Sequence, residues 1–174
     1  TLHYQFRDVA ADKPVIVFAN SLGTDLRIWD AVADALAGEY SILCYDKRGH
    51  GLSSAGNPPY AMADHVADVE ALITALGIKS VVICGLSVGG MIAQGLSLKR
   101  PDLVQAAILC DTGHKIGTAG MWQDRIEALE KGGILPMVDA VMERWFTDEF
   151  RSDDNPVYVG CKAMLGRQLV AGYV

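Results

Sequence analysis

Ser87 has the setting in this chain that most directly points to chemistry. It lies in Gly85-Leu86-Ser87-Val88-Gly89-Gly90, after the apolar run Val81-Val82-Ile83-Cys84 and before the helix-like Met91-Ile92-Ala93-Gln94-Gly95-Leu96. A serine with glycines two residues before and two after it, between a strand and a helix, has the pattern of a nucleophile elbow. The sharp turn leaves almost no room for side chains at those two positions, which Gly85 and Gly89 satisfy. Such a turn lifts the Ser87 hydroxyl clear of the sheet. It also sets Ser87 at a helix start, where free N–H groups and the helix dipole favour developing negative charge. The chemistry on offer is nucleophilic attack on a carbonyl. The bland alternative is a glycine-rich turn that only packs closely. A phosphate loop is excluded because no Lys-Ser/Thr pair follows, and a dinucleotide fingerprint because Ser87 stands where its second glycine belongs.

A serine hydroxyl is a poor nucleophile at neutral pH without a base, so the four histidines come next. His3 falls on a weakly alternating stretch, expected to be an edge strand far from the strand ends that carry the loops. His65 falls on a helix and is expected to face solvent. His50 sits in the loop Arg48-Gly49-His50-Gly51, and His114 follows Asp111 by three residues. A base must come within hydrogen-bond distance of its nucleophile, and none of the four is well placed to do so. Cys44, Cys84, Cys110 and Cys161 form no CxxC pair and no metal-ligand spacing. They read as small buried hydrophobes in a reduced compartment. No metal and no organic cofactor is indicated.

The elements that must position Ser87 alternate strand and helix up to residue 110. Leu2 to Phe6, Pro14 to Ala19, Tyr40 to Tyr45, Val81 to Cys84 and Val104 to Cys110 read as strands. The last four are apolar runs of the kind buried on both faces. Helices are predicted over Asp25 to Leu36, Met62 to Leu76 and Val88 to Lys99, stopped by Gly38, Gly77 and Pro101. Buried strands joined by helical crossovers imply an α/β fold with a doubly wound, mostly parallel sheet, whose ligands bind at the carboxyl ends of the strands. The three most unusual loops lie at such ends: Asn20 to Gly23, Asp46 to Ser53, and the Ser87 turn. After residue 113 the strand runs cease. Ala119 to Lys131, Ile134 to Phe146 and Pro156 to Gln168 read as amphipathic helices. The division expected is 1–112 as core and 113–174 as a helical cap over the strand ends, which would close a pocket and exclude water.

Bulk composition narrows the partners. The 174 residues are 51% hydrophobic and 21% charged, enough apolar material for a core, and net charge is −6. The acidic balance, without a basic run, argues against nucleic acid and anionic membrane. No stretch reaches membrane-spanning length and no signal pattern opens the chain, so a cytoplasmic setting is expected.

With these loops in view, the chain resembles the α/β-hydrolase superfamily, and within it 3-oxoadipate enol-lactonases and related small esterases. The matching stretches are Phe18-Ala19-Asn20-Ser21-Leu22-Gly23-Thr24-Asp25, Tyr45-Asp46-Lys47-Arg48-Gly49-His50-Gly51-Leu52-Ser53 and Gly85-Leu86-Ser87-Val88-Gly89-Gly90-Met91, with weaker matches at Cys110 to Thr118 and Glu143 to Thr147. The resemblance implies that Ser87 attacks the carbonyl of a small ester or lactone. It implies that the backbone N–H groups of Leu22 and Val88 hold the oxyanion, each such donor contributing about 3 kcal/mol. It assigns the Asp46/Arg48 loop to the floor of the site. His114, Trp122 and Trp145 are candidates to line the pocket, and Met121, Met137 and Met142 share their apolar faces, although residues at helical spacing are more often core. Lys115 and Arg125 are cations near that region, expected to be solvated.

The departure is the triad. In this superfamily the acid and the histidine follow the nucleophile, and neither is found after the cap residues here. Asp111, at a strand end that some members use for the acid, is the internal candidate for that role. The expectation is therefore an incomplete α/β-hydrolase core, completed by a second polypeptide segment or a swapped copy. The alternatives are a non-catalytic ligand-binding module of the same shape, or a carbon–carbon hydrolase or perhydrolase on the same fold.

Overall fold

The computed structural model describes residues 1–9 and 12–174. Among them, strands β1 (Tyr4–Arg7), β2 (Val15–Ala19), β3 (Ile42–Tyr45), β4 (Val81–Leu86) and β5 (Val104–Cys110) form one sheet in the order β1-β3-β2-β4-β5. β2 pairs in parallel with β3 and with β4, and β4 with β5, whereas β1 runs antiparallel to β3. The crossovers are α1 (Asp30–Leu36), preceded by a 3-10 turn at Leu26–Trp29, then α2 (Met62–Ala75) and α3 (Val88–Lys99).

Continuous apolar sequence in β2 and β3 follows from burial on both faces. Val15, Val17 and Ala19 join Leu43 and Tyr45 on one face, against Val66, Val69 and Ile73 of α2 and Ile92, Ala93 and Leu96 of α3. Phe18, Ile42 and Cys44 project to the other face, against Leu26, Trp29 and Ala33. The Phe18 and Trp29 rings are centred 4.7 Å apart, within the range of favourable aromatic pairs. Helices on both faces make the sheet doubly wound, as the alternation predicted.

β5 departs from expectation. It is apolar, but residues 105–109 are exposed, with Ile108 at 49% and Leu109 at 47%. Its inner edge is hydrogen-bonded to β4 and its outer edge is the edge of the sheet. An apolar run reports a strand that can be buried; it cannot report whether anything covers it.

Beyond β5 the chain is helical, in α4 (Ala119–Gly132), α5 (Val138–Trp145), α6 (Pro156–Gly166) and α7 (Val170–Tyr173). Thr118 caps α4 by accepting from the Met121 N–H, and Asn155 caps α6 ahead of Pro156, the residue types those positions favour. The predicted helix at 134–146 is a 3-10 turn (Leu135–Met137) followed by α5. These helices share an apolar cluster of their own, centred on Leu129, Val141, Met142 and Leu165. Among the described residues no helix is long and apolar enough to cross a membrane.

Candidate active site

Ser87 stands between β4 and α3 with φ 54° and ψ −116°, a backbone region that non-glycine residues avoid and that concentrates at functional sites. The neighbours make the strain unavoidable. A Cβ on Gly85 would lie 2.2 Å from the Gly89 carbonyl oxygen, and one on Gly89 would lie 2.0 Å from that of Ala19. β5 fixes the turn from the side. The Cys110 carbonyl accepts from the Ser87 N–H at 3.0 Å, and Thr112 Oγ1 donates to the Ser87 carbonyl at 2.6 Å.

Facing the turn is the loop after β2, held by the loop after β3. Lys47 Nζ donates to the Ser21 carbonyl at 2.5 Å, the Gly23 N–H donates to His50 Nε2 at 3.0 Å, and the Leu26 N–H donates to Asp46 Oδ1 at 2.7 Å. Between these anchors the Leu22 N–H donates to no acceptor among the described residues, and neither does the Val88 N–H. Two backbone donors are therefore unengaged, Leu22 on the loop after β2 and Val88 on the Ser87 turn, and the two segments approach where Gly89 lies against the Ala19 and Asn20 carbonyls. Arg48 is spent on α2, with Nε and one terminal nitrogen each 2.7 Å from Asp68.

The histidines correct two expectations. His3 is not remote from the strand ends: β1 is antiparallel, so its start adjoins the carboxyl end of β3, and His3 Nδ1 lies 2.8 Å from Asp46 Oδ2. His65 does not simply face solvent. Its ring packs edge-on against Tyr60 at 5.8 Å, its Nδ1 is buried, and burial followed by the charges of Lys47 and Arg48 pulls it down to about 4. His50 is 2% exposed and held neutral by burial and by Lys47, with Nδ1 3.2 Å from the Arg48 carbonyl. That contact sets its tautomer as Nδ1–H and leaves Nε2 to accept from Gly23. His114 and Asp111 are exposed, Asp111 with φ 40°. Among the described residues none of these groups hydrogen-bonds Ser87.

The other pocket candidates separate. Trp145 packs into the cluster of the C-terminal helices, while Trp122 donates from Nε1 to the Ile116 carbonyl at 2.6 Å. Arg125, expected to be solvated, is instead half-buried between the rings of Trp122 and Tyr173, 5.6 and 5.1 Å from their centres. It donates to Tyr173 Oη, and its buried Nε has no partner among the described residues. Tyr173 in turn lies against Gly23. A cavity of about 490 Å³ lies elsewhere, between the start of β1 and α6, lined by His3, Asp25, Arg27, Asp46, Met164 and Arg167. The cysteines are free; Cys84 and Cys110 have Sγ atoms 4.0 Å apart, and burial with that neighbour raises Cys84 to about 12. Cys44 and Cys84 are buried as expected, whereas Cys110 and Cys161 are only half-buried.

A strained serine at a strand–helix turn on a doubly wound sheet defines a class, and the chain belongs to it: residues 14–155 match the alpha/beta hydrolase fold family. Within the family it is 35% identical over 163 residues to 3-oxoadipate enol-lactonase 2 of Acinetobacter baylyi, covering 94% of this chain and 61% of that protein. A second lactonase of the same organism, 3-oxoadipate enol-lactonase 1, is also 35% identical, over 79% of this chain and 51% of its own length. The enol-lactonase from Burkholderia xenovorans LB400 is 34% identical and superposes with a TM-score of 0.93 over 99% of this chain and 66% of its own. The chain thus spans 51% and 61% of the two curated lactonases.

Proposed function

We propose that this chain carries the nucleophile and the oxyanion donors of a serine hydrolase acting on a carboxylic ester or lactone. The observation that carries the reading is Ser87 at φ 54° in a strand–helix turn packed against the end of β2, with the N–H groups of Leu22 and Val88 unengaged among the described residues. Ser87 Oγ adds to the carbonyl carbon while its proton passes to a base. The carbonyl oxygen takes up the negative charge and accepts from Leu22 and Val88. Collapse expels the alcohol or enol oxygen and leaves an acyl group on Ser87, which water removes. Because donors of this kind engage the oxyanion more strongly than the substrate carbonyl, they lower the barrier rather than merely tighten binding.

The base and its acid are assigned to a segment or chain outside these 174 residues. Each described histidine except His114 is engaged elsewhere, and His114 is exposed. The residues 113–174 act in this reading as a cap, and its cation Arg125 meets a carboxylate on the substrate. The identity to proteins named 3-oxoadipate enol-lactonase supports an acidic lactone. The absence of a described base favours one other reading, a ligand-binding module without turnover.

A fluorophosphonate probe with ester turnover tests both. Wild-type protein, with whatever segment completes it, is expected to label at Ser87, and Ser87→Ala to lose labelling and turnover together. Turnover that survives Ser87→Ala sinks the hydrolase reading. Stoichiometric ligand binding with neither labelling nor turnover favours the binding module.

A further inference from the structure

Lys47 is 2% exposed, and lysine is almost never buried to this degree unless it is paired. Its Nζ donates to the Ser21 carbonyl at 2.5 Å. The same oxygen also accepts from Thr24 Oγ1 at 2.8 Å and from the Thr24 N–H at 3.3 Å. The Ser21 carbonyl and the Leu22 N–H belong to one peptide unit. In a planar, resonance-coupled amide, donors on the oxygen draw density from the nitrogen and strengthen its N–H as a donor. We propose that Lys47 is a positioning residue whose ammonium orients and polarises the Ser21–Leu22 peptide, so that the Leu22 N–H binds an oxyanion formed at Ser87 more strongly. The proposal rests on the reading of Leu22 as an oxyanion donor.

The neighbouring anchors do not share this role. His50 grips the Gly23 N–H, on the Leu22–Gly23 peptide, and Asp46 the Leu26 N–H, which fixes the course of the loop but makes no bond to the Ser21–Leu22 peptide. Lys47 alone in its loop bonds the peptide that carries the free donor. Packing does not require a charge there, since burying an ammonium is costly and an apolar chain of equal length would fill the space. The groups that face it are Asp25 from the loop after β2, Asp46 and His50 from its own loop, and His65 from α2. Burial pulls its titration well below the ordinary 10.5, and the two carboxylates pull it back. As pH rises through that lowered value Lys47 loses its charge, and the Leu22 donor weakens with it.

The test is 1H–15N NMR of the 174-residue chain, following the Leu22 amide from about pH 5 to about pH 11, the span in which buried lysines titrate. In wild type the Leu22 proton is expected to move upfield in one step with a midpoint below 10.5. In Lys47→Met that step disappears and the proton stays upfield throughout. A wild-type Leu22 amide that is flat across the span overturns the proposal, and this arm needs no variant to fold. So does a folded Lys47→Met whose Leu22 shift equals that of the wild type. In protein that turns over an ester, Lys47→Met is expected to lower kcat about tenfold with KM within about twofold, the split that marks lost transition-state binding. Equal kcat in that variant also overturns it. Turnover that persists in Ser87→Ala would instead strike the hydrolase reading, and the Leu22 titration would still report on Lys47 by itself.

Discussion

Ser87 holds a conformation that costs on the order of 1–3 kcal/mol, and single residues around it carry the compensation. Gly85 and Gly89 let three backbone segments meet, and Thr112 ties the serine carbonyl to the end of β5. Around this frame the ionisable groups set the pH dependence of stability. His65 falls from 6.5 in the unfolded chain to about 4 when folded, because burial opposes its charge. A depressed histidine means that the unfolded state binds the proton first, so folding stability is intact above pH 6.5 and is lost as pH falls toward 4. The loss reaches about 3 kcal/mol for a shift of this size. His50, also depressed, adds to it in the same direction. Urea unfolding at stepped pH should show this decline, and His65→Gln should flatten part of it; an unchanged slope in that variant would refute the assignment. Ser87 and its glycines were legible from sequence because the elbow needs small residues at fixed offsets. Lys47 was not, because a lysine between two charged neighbours reads as surface, and only the packed loops reveal that it is enclosed. His65 misled for the same reason, since a helix pattern does not tell which side a neighbouring loop will cover.

At the scale of elements, the run of buried strands was visible because β2, β3 and β4 are apolar without alternation. Their boundaries moved by a residue or two, and the 3-10 turn at Leu26–Trp29 replaced the start of a predicted helix. β5 shows what composition omits. It supports the elbow from one edge and presents Ile108 and Leu109, about half exposed, along the other. An unpaired apolar edge is a template for another strand. The 174-residue chain is therefore expected to self-associate with rising concentration, read by sedimentation velocity. Ile108→Lys places a charge on that edge and should weaken association by on the order of tenfold, equivalent to about 1.4 kcal/mol. A wild-type chain that sediments as a monomer at every concentration would mean that the edge is inert.

At the scale of the whole molecule, the C-terminal helices touch the core at the loops after β2 and β3. Leu165 and Tyr173 lie against Gly23, and the Gly172 and Gly49 backbones are in contact. Met164 Sδ accepts from the Asp25 N–H at 3.3 Å, and Tyr173 stacks over His50 with ring centres 6.5 Å apart. The apolar cluster of the helices is otherwise distinct from the two clusters on the sheet. Any movement of the helices would thus be felt first at Leu22 and Gly23, the segment that carries the proposed oxyanion donor. Gly23→Ala isolates this seam. The methyl group would lie 2.6 Å from Leu165 Cδ1 and 2.8 Å from Tyr173 at a φ of +78°, so the side chains of α6 and α7 must yield. The expected cost is about 1–3 kcal/mol for overpacking, with backbone strain in addition. Because the pressure falls on one side of the seam, hydrogen exchange should quicken at α6 and α7 while β2, β3 and β4 keep their protection. If the sheet amides lose protection in equal measure, the helices and the sheet open as one cooperative unit, and the helices could not move as a cap without unfolding the core.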